Sequence, residues 1–422
     1  MAMALILFPA MYAALLLLPK LRAYIALGTA GLFVVLGILP AGKVFSAVDW
    51  NVILMILGTM GIVYLFIESK MPSLMADVLI SRMPSVKWVV ITLSLFAGIV
   101  SAFIDNVATV LMVAPVALMV AKKLGVSPVP AVIAVAVSSN LQGAATLVGD
   151  TTSILLGGYA NMDFMDFFFY KGRPGLFFIV QAGALVSGLT LLLVFRSMKQ
   201  KVHMDGRTEV TDLFPTWLML GTVMLLILAS FIPGKPAVTN GLICMGLLVV
   251  GILREALRGG GLGATAKRVS REIDWFTLLL LTGLFIVIAG MTEAGVVDKI
   301  AQLFVRVSGG SVFMMYSLLV WASVLFSAFI DNIPYVATML PVTAGIARMM
   351  GVDPTILYFG LLVGATLGGN LTPVGASANI TGLGILRKAG YEPTTRDFMK
   401  ISVPFTLAAV LCGYALVWVL YR

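Results

Sequence analysis

The chain has 422 residues, of which 60% are hydrophobic and 11% charged, with 28 Lys and Arg against 19 Asp and Glu and a formal net charge of +9. Soluble domains carry about 25% charged residues, so this chain cannot bury its apolar surface in a water-soluble core and takes lipid as its solvent. The surplus of positive charge is therefore read by its position along the chain and not as nucleic-acid binding, and a single histidine excludes a multi-histidine metal site.

Residues 1–18 are apolar from the first position and run into Pro19, Lys20 and Arg22 without a basic leader, so they read as a first span and not as a cleaved signal. In the first half, spans are predicted near 3–18, 22–40, 51–68, 130–157 and 175–196. In the second half they fall near 214–232, 237–254, 275–291, 355–385 and 401–421. Residues 71–83 and 295–308 read as short interfacial connectors, and 254–272 as a basic loop. A polar linker over 198–212, with Lys199, Lys201, His203 and Arg207, separates a unit at 1–197 from a unit at 213–422. Cys244 and Cys412 lie in apolar runs and read as small core residues.

Two segments, 88–122 and 312–348, do not fit a simple span. Each is a pair of apolar arms broken by an Asp-Asn dipeptide. An arm of ~16 residues is ~24 Å long as a helix, short of the ~30 Å hydrocarbon core, while a whole segment would reach ~50 Å. A lipid-facing carboxylate at mid-membrane is costly, so Asp105 and Asp331 are predicted at the tips of re-entrant hairpins enclosed by protein.

The chain repeats itself. Asp49-Trp50 returns as Asp274-Trp275, Gly58 as Gly283 and Glu68 as Glu293, each 225 residues later. Ser101-Ala-Phe-Ile-Asp105-Asn106 returns unchanged as Ser327-Ala-Phe-Ile-Asp331-Asn332, 226 residues later, and Pro115 returns as Pro341. Gly143-Ala-Ala-Thr146-Leu-Val-Gly149 aligns with Gly369-Asn-Leu-Thr372-Pro-Val-Gly375 at the same shift. Five crossings per half make the second half inverted relative to the first. The predicted fold is an all-α integral membrane protein of about ten transmembrane helices plus two re-entrant hairpins, in two inverted-topology repeats. This arrangement puts 20 of the 28 Lys and Arg on one side and 8 on the other. The basic side is predicted cytoplasmic, with both termini extracytoplasmic, in a prokaryotic inner membrane.

Two constellations carry the expected chemistry. The first is Asp105 and Asn106 with Asp331 and Asn332: carboxylates inside a membrane mark ion pathways, and these four are candidate Na⁺ ligands. Capping of the following helix by Asp is compatible with that role. The second is the Gly-rich interruption of the fourth span in each half. Ser139, Asn140, Gly143, Thr146, Gly149 and Asp150 form one copy; Gly369, Asn370, Thr372, Gly375, Ser377 and Asn379 form the other. Broken helices free carbonyls for a cation and expose amides to anionic groups. Close helix packing explains the glycines but not the buried amides and acid. The copies differ: Asp150 aligns with Ala376, and Ser153 with Asn379.

These motifs resemble the ion transporter superfamily, within it the group of arsenite permeases, NhaD-type sodium/proton antiporters, citrate-transporter-like proteins and the melanosomal P protein. Asp-Asn at both tips is most similar to the NhaD-type and P-protein-like members. Relatives often read Gly-Asp-Pro-Pro-Asn where this chain has Gly149-Asp150-Thr151-Thr152-Ser153. The resemblance implies two inverted repeats, each with a hairpin and an unwound helix, in a chain that often works as a homodimer. The expected function is secondary active transport, not enzymatic, coupled to Na⁺ or H⁺ and without a further cofactor. Sodium/proton antiport or cation-coupled ion transport stands first, and coupled transport of a dicarboxylate, citrate or arsenite-type anion second. An intramembrane aspartyl protease also uses two membrane aspartates, but Val148-Gly149-Asp150 lacks the first glycine of its Gly-x-Gly-Asp setting.

Overall fold

The computed structural model describes residues 2–123, 125–198, 200 and 208–422. The linker positions Lys199, Lys201, His203 and Arg207 lie outside the described residues. The first half contains α1 (Ala2–Leu17), α2 (Arg22–Val35), α3 (Val44–Ala47), α4 (Trp50–Glu68), α5 (Met71–Ile80), α6 (Val86–Ser101), α7 (Asn106–Lys123), α8 (Val129–Gly143), α9 (Thr151–Ala160) and α10 (Leu176–Val194). The second contains α11 (Phe214–Ser230), α12 (Thr239–Glu255), α13 (Leu262–Glu272), α14 (Trp275–Glu293), α15 (Val296–Val307), α16 (Val312–Ser327), α17 (Asn332–Met350), α18 (Thr355–Leu362), α19 (Ser377–Lys388) and α20 (Thr395–Tyr421). Among the described residues the only strands are a two-residue antiparallel pair, Phe169–Tyr170 with Arg173–Pro174. The protein is an all-α membrane protein.

The repeated Asp-Trp dipeptide is a helix-start device. Asp49 Oδ1 accepts from Val52 N at 3.1 Å and Asp274 Oδ1 from Thr277 N at 3.1 Å, capping α4 and α14. The neighbouring indoles each donate to a carbonyl five residues back, Trp50 to Phe45 and Trp275 to Ser270. An amphipathic ring with one satisfied N–H suits the edge of a bilayer. The matched glycines are packing positions: Gly58 of α4 lies on the Cys244 backbone of α12, and Gly283 of α14 on the Ala26 backbone of α2. Small residues let these helix pairs approach closely where hydrophobic segregation supplies no drive.

Among the described residues, six helices are long and apolar enough to cross a membrane: α4, α7, α10, α14, α20 and α12 with its π-turn extension. The other predicted spans are shorter or broken. The first two, expected at 3–18 and 22–40, are the 16-residue α1 and the 14-residue α2, set at 115° to each other. α2 stops at Val35 because Gly37 takes φ 68°, and Gly37 N and Ile38 N turn back to Val34 O and Phe33 O. The expected loop at 254–272 is helical over Leu262–Glu272, with Thr265 and Val269 buried. The preceding Gly259-Gly260-Gly261 hides this short amphipathic helix from a reading based on composition.

The hairpins follow from packing. α15 joins α16 through four residues, and Gly345 in the C-terminal half of α17 lies against Ala301 of α15. The outer ends of α16 and α17 are therefore on the same side, with Asp331-Asn332 at the turn. α5 likewise packs against both α6 and α7. Each hairpin leans on a broken helix: α6 and α7 on α8, and α16 on α18 and the π-turn after it.

Candidate cation and substrate site

The hairpin tips begin as capping geometry. α6 ends at Ser101, and Asp105 restarts the helix by accepting from Val107 N at 3.0 Å and Ala108 N at 3.2 Å through Oδ1. In the second copy the residue three after Asp331 is Pro334, which has no N–H. Asp331 Oδ1 accepts from Ile333 N only, at 3.5 Å, and Oδ2 turns elsewhere. It accepts from Ser377 Oγ at 2.8 Å and from Arg22 Nη1 at 3.2 Å. Identical tips thus acquire different partners because of one imino acid downstream.

The helix breaks lock onto the tips in matching fashion. Thr146 Oγ1 donates to Ala102 O, and Thr372 Oγ1 to Ala328 O. A Cβ on Gly149 would come closer than 3.0 Å to the carbonyls of Ser101, Ala102 and Gly143. One on Gly375 would do the same to Ser327, Ala328 and Gly369. Only glycine lets the unwound chain lie so near a cluster of carbonyls. Behind the next turn, Ser153 Oγ donates to Gly143 O at 3.4 Å, and Asn379 Nδ2 to Gly369 O at 3.4 Å and Thr372 O at 3.3 Å.

Between the breaks runs a chain of fully enclosed amides. Asn106 Nδ2 donates to Asn140 Oδ1 at 2.9 Å; Asn140 Nδ2 donates to Thr366 O at 2.8 Å and Asn370 Oδ1 at 3.1 Å; Asn370 Nδ2 donates to Val137 O at 2.9 Å. Ser139 Oγ reaches Ser101 Oγ at 3.1 Å and Asn106 O at 2.9 Å. Thr152 Oγ1 donates to Asp150 Oδ2 at 2.9 Å, and Asn332 Nδ2 approaches the same oxygen at 3.4 Å from the other half.

A cavity of about 270 Å³ opens onto this cluster. Of the sixteen residues singled out in the sequence, Asp105, Asn106, Asp150, Asn332 and Ser377 line it. Asp331 lies beside it, turned toward Arg22. Ser139, Asn140, Gly143, Thr146, Gly149, Gly369, Asn370, Thr372, Gly375 and Asn379 form the layer that supports it. The cavity's mouth adds Glu272 and Asp274, with Tyr64 and Ile67 from the end of α4. Its lining therefore has four carboxylates, and no Lys or Arg among the described residues. Sequence reasoning missed Glu272, Asp274, Thr366 and Arg22. Asp274 opens a repeated capping motif, which was a usable signal; Glu272, the last residue of α13, and Arg22, one basic residue in a basic corner, gave none.

The solved structure of the YdaH transporter of Alcanivorax borkumensis aligns over 96% of this chain and 97% of its own, with TM-score 0.64 and 16% identity. MtrF of Neisseria gonorrhoeae, described as belonging to a class of antimetabolite efflux pumps, aligns over 92% and 84% with TM-score 0.57 and 17% identity. Both show a shared fold. An uncharacterized transporter of Mycobacterium tuberculosis is 33% identical over 411 residues, covering 95% of this chain and 94% of the relative. The P protein of Mus musculus is 24% identical over 87% of this chain and 53% of its own length. A family model described as citrate transporter matches residues 12–364 and again 260–422. With a match across nearly its whole length, the chain belongs to the citrate transporter family, within the ion transporter superfamily that its repeated motifs resemble.

Proposed function

We propose that this secondary transporter is coupled to Na⁺ or H⁺ and binds its cation at Asp105 and Asp150. The observation that carries this reading is the charge of the cavity: four carboxylates, two amides and no basic side chain among the described lining residues. Such a wall concentrates cations and repels anions. Two of the helix N-termini at the site, which would attract an anion, are already capped by carboxylates. Asp105 caps α7 and Asp331 caps α17; Asp331 also accepts from Ser377 Oγ at the start of α19, and Asp150 is the residue before α9. An anion at a helix N-terminus is worth about 0.3–1 kcal/mol, and at α7 and α17 that position is in use. An organic anion, which the family description favours, would have to pass Glu272 and Asp274 and displace these contacts.

On this reading residues 1–197 and 213–422 are inverted repeats joined by 198–212, with the cavity open toward the basic, cytoplasmic side. Oppositely oriented halves supply two access routes to one central site. The test uses the purified protein in liposomes with imposed Na⁺ and pH gradients, an entrapped pH dye and a panel of organic anions. Na⁺-driven proton movement is expected for the native chain and a loss of roughly tenfold or more for Asp105→Asn and Asp150→Asn. Native-like rates in both variants would refute the assignment. Anion uptake that survives both would establish the family's namesake chemistry in its place.

A further inference from the structure

We propose that Arg22 is a built-in counter-cation that withdraws Asp331 from cation binding, so that one tip, Asp105, handles the transported cation; this rests on the cation reading above. Arg22 Nη1 lies 3.2 Å from Asp331 Oδ2, with only 16% and 11% of the two side chains exposed. A guanidinium does not lose its proton in proteins, so it supplies a permanent positive charge where a mobile cation would otherwise be needed. Its own position is fixed: Arg22 Nε donates to Leu15 O at 3.1 Å, tying the head group to the last turn of α1. Tyr12 of the same helix donates to Pro334 O at 2.7 Å, holding the first turn of α17 against α1. The pair is thus a docked corner and not two long side chains meeting in solvent.

The first tip has no such partner: among the described residues Asp105 makes no ion pair. The packing equivalence of Gly58–Cys244 and Gly283–Ala26 identifies the position corresponding to Arg22. Four residues before Ala26 stands Arg22, and four before Cys244 stands Asn240. Asn240 is neutral, and its amide is directed at Asp163 Oδ1, 3.4 Å away. Two identical Asp-Asn tips therefore differ in what balances their charge: a tethered guanidinium in one, and the transported cation, taken from the cavity, in the other.

The experiment measures Na⁺-driven proton movement in proteoliposomes against Na⁺ concentration. The native protein is expected to show a Hill coefficient of about 1, and Arg22→Gln a lower rate at low Na⁺ with a coefficient approaching about 2, since Na⁺ takes the place of the guanidinium. Arg22→Lys keeps the charge and a coefficient of about 1. Asp331→Asn alone strands the arginine and slows transport roughly tenfold or more, and the double variant Arg22→Gln/Asp331→Asn recovers most of that loss. Asp105→Asn is not rescued by Arg22→Gln. A double variant as slow as Asp331→Asn alone would show that Asp331 itself carries the cation and overturn the assignment. Thermal unfolding of the four members of this cycle in detergent decides the pairing separately. Additive melting shifts overturn it, even if the native protein moves neither Na⁺ nor protons, a result that would instead defeat the transport reading.

Discussion

Asn140 offers a measurable test of the buried amide chain. Its side chain is fully enclosed and makes three hydrogen bonds, from Asn106 Nδ2 and to Thr366 O and Asn370 Oδ1. Asn140→Ala removes all three and leaves one donor and two acceptors facing a small void. At the ~0.6 kcal/mol average for polar contacts between helices in bilayers, three bonds come to ~2 kcal/mol. At ~1–3 kcal/mol for each buried group left unsatisfied, the loss is nearer ~5 kcal/mol. We expect ~3 kcal/mol, because a lipid-solvated unfolded state recovers part of the difference. Asn140→Asp keeps the size and the acceptor for Asn106, but it turns a carboxylate oxygen toward Thr366 O and Asn370 Oδ1. It is expected to destabilise more than alanine. Unfolding in mixed micelles of rising SDS content, followed by the fluorescence of the six tryptophans, gives both values. An alanine variant within ~1 kcal/mol of native, or an aspartate variant as stable as native, would refute the reasoning.

Gly149→Ala puts a methyl group among three carbonyl oxygens closer than 3.0 Å, a steric conflict with main chain that costs about 1–3 kcal/mol; melting temperature and transport rate should fall together. Glu272→Gln removes one charge from the cavity mouth without touching the tips. It should raise the cation concentration for half-maximal rate by roughly threefold at low ionic strength, leave the maximal rate unchanged, and lose its effect in high salt, as flux titrations at two ionic strengths will show.

The repeat made much of this architecture readable. Six unchanged residues around Asp105 and Asp331 marked the tips, and polar residues inside apolar runs marked the breaks at 143–151 and 369–377. Mid-membrane polarity is costly enough to stand out against any background of leucine and valine. Element lengths were less accessible. The end of α2 depends on Gly37 adopting positive φ, and Leu262–Glu272 required weighing a short amphipathic stretch beside three glycines. Long-range pairing was not readable at all. Arg22 and Asp331 are 309 residues apart, and nothing local in Pro19-Lys20-Leu21-Arg22 announces a partner in the other half. Tyr12, in an otherwise apolar helix, was equally silent about Pro334. The difference between the two tips was latent in Pro334, since a missing N–H is a sequence fact, but its consequence depends on Arg22 and Ser377, which only the fold brings to Asp331.

The amide chain also bears on how such a protein could arise. Asn140 of one half donates to the main chain at Thr366 of the other, while Asn370 of the second donates to the main chain at Val137 of the first. In the 226-residue register Asn140 aligns with Thr366, and Asn370 with Ala144, so these two donations are not copies of one contact. A strict two-fold interface would give every contact its mirror image. Each half instead sets an amide of its own against the other's main chain, so the seam between the two copies is itself a place where duplication was followed by divergence.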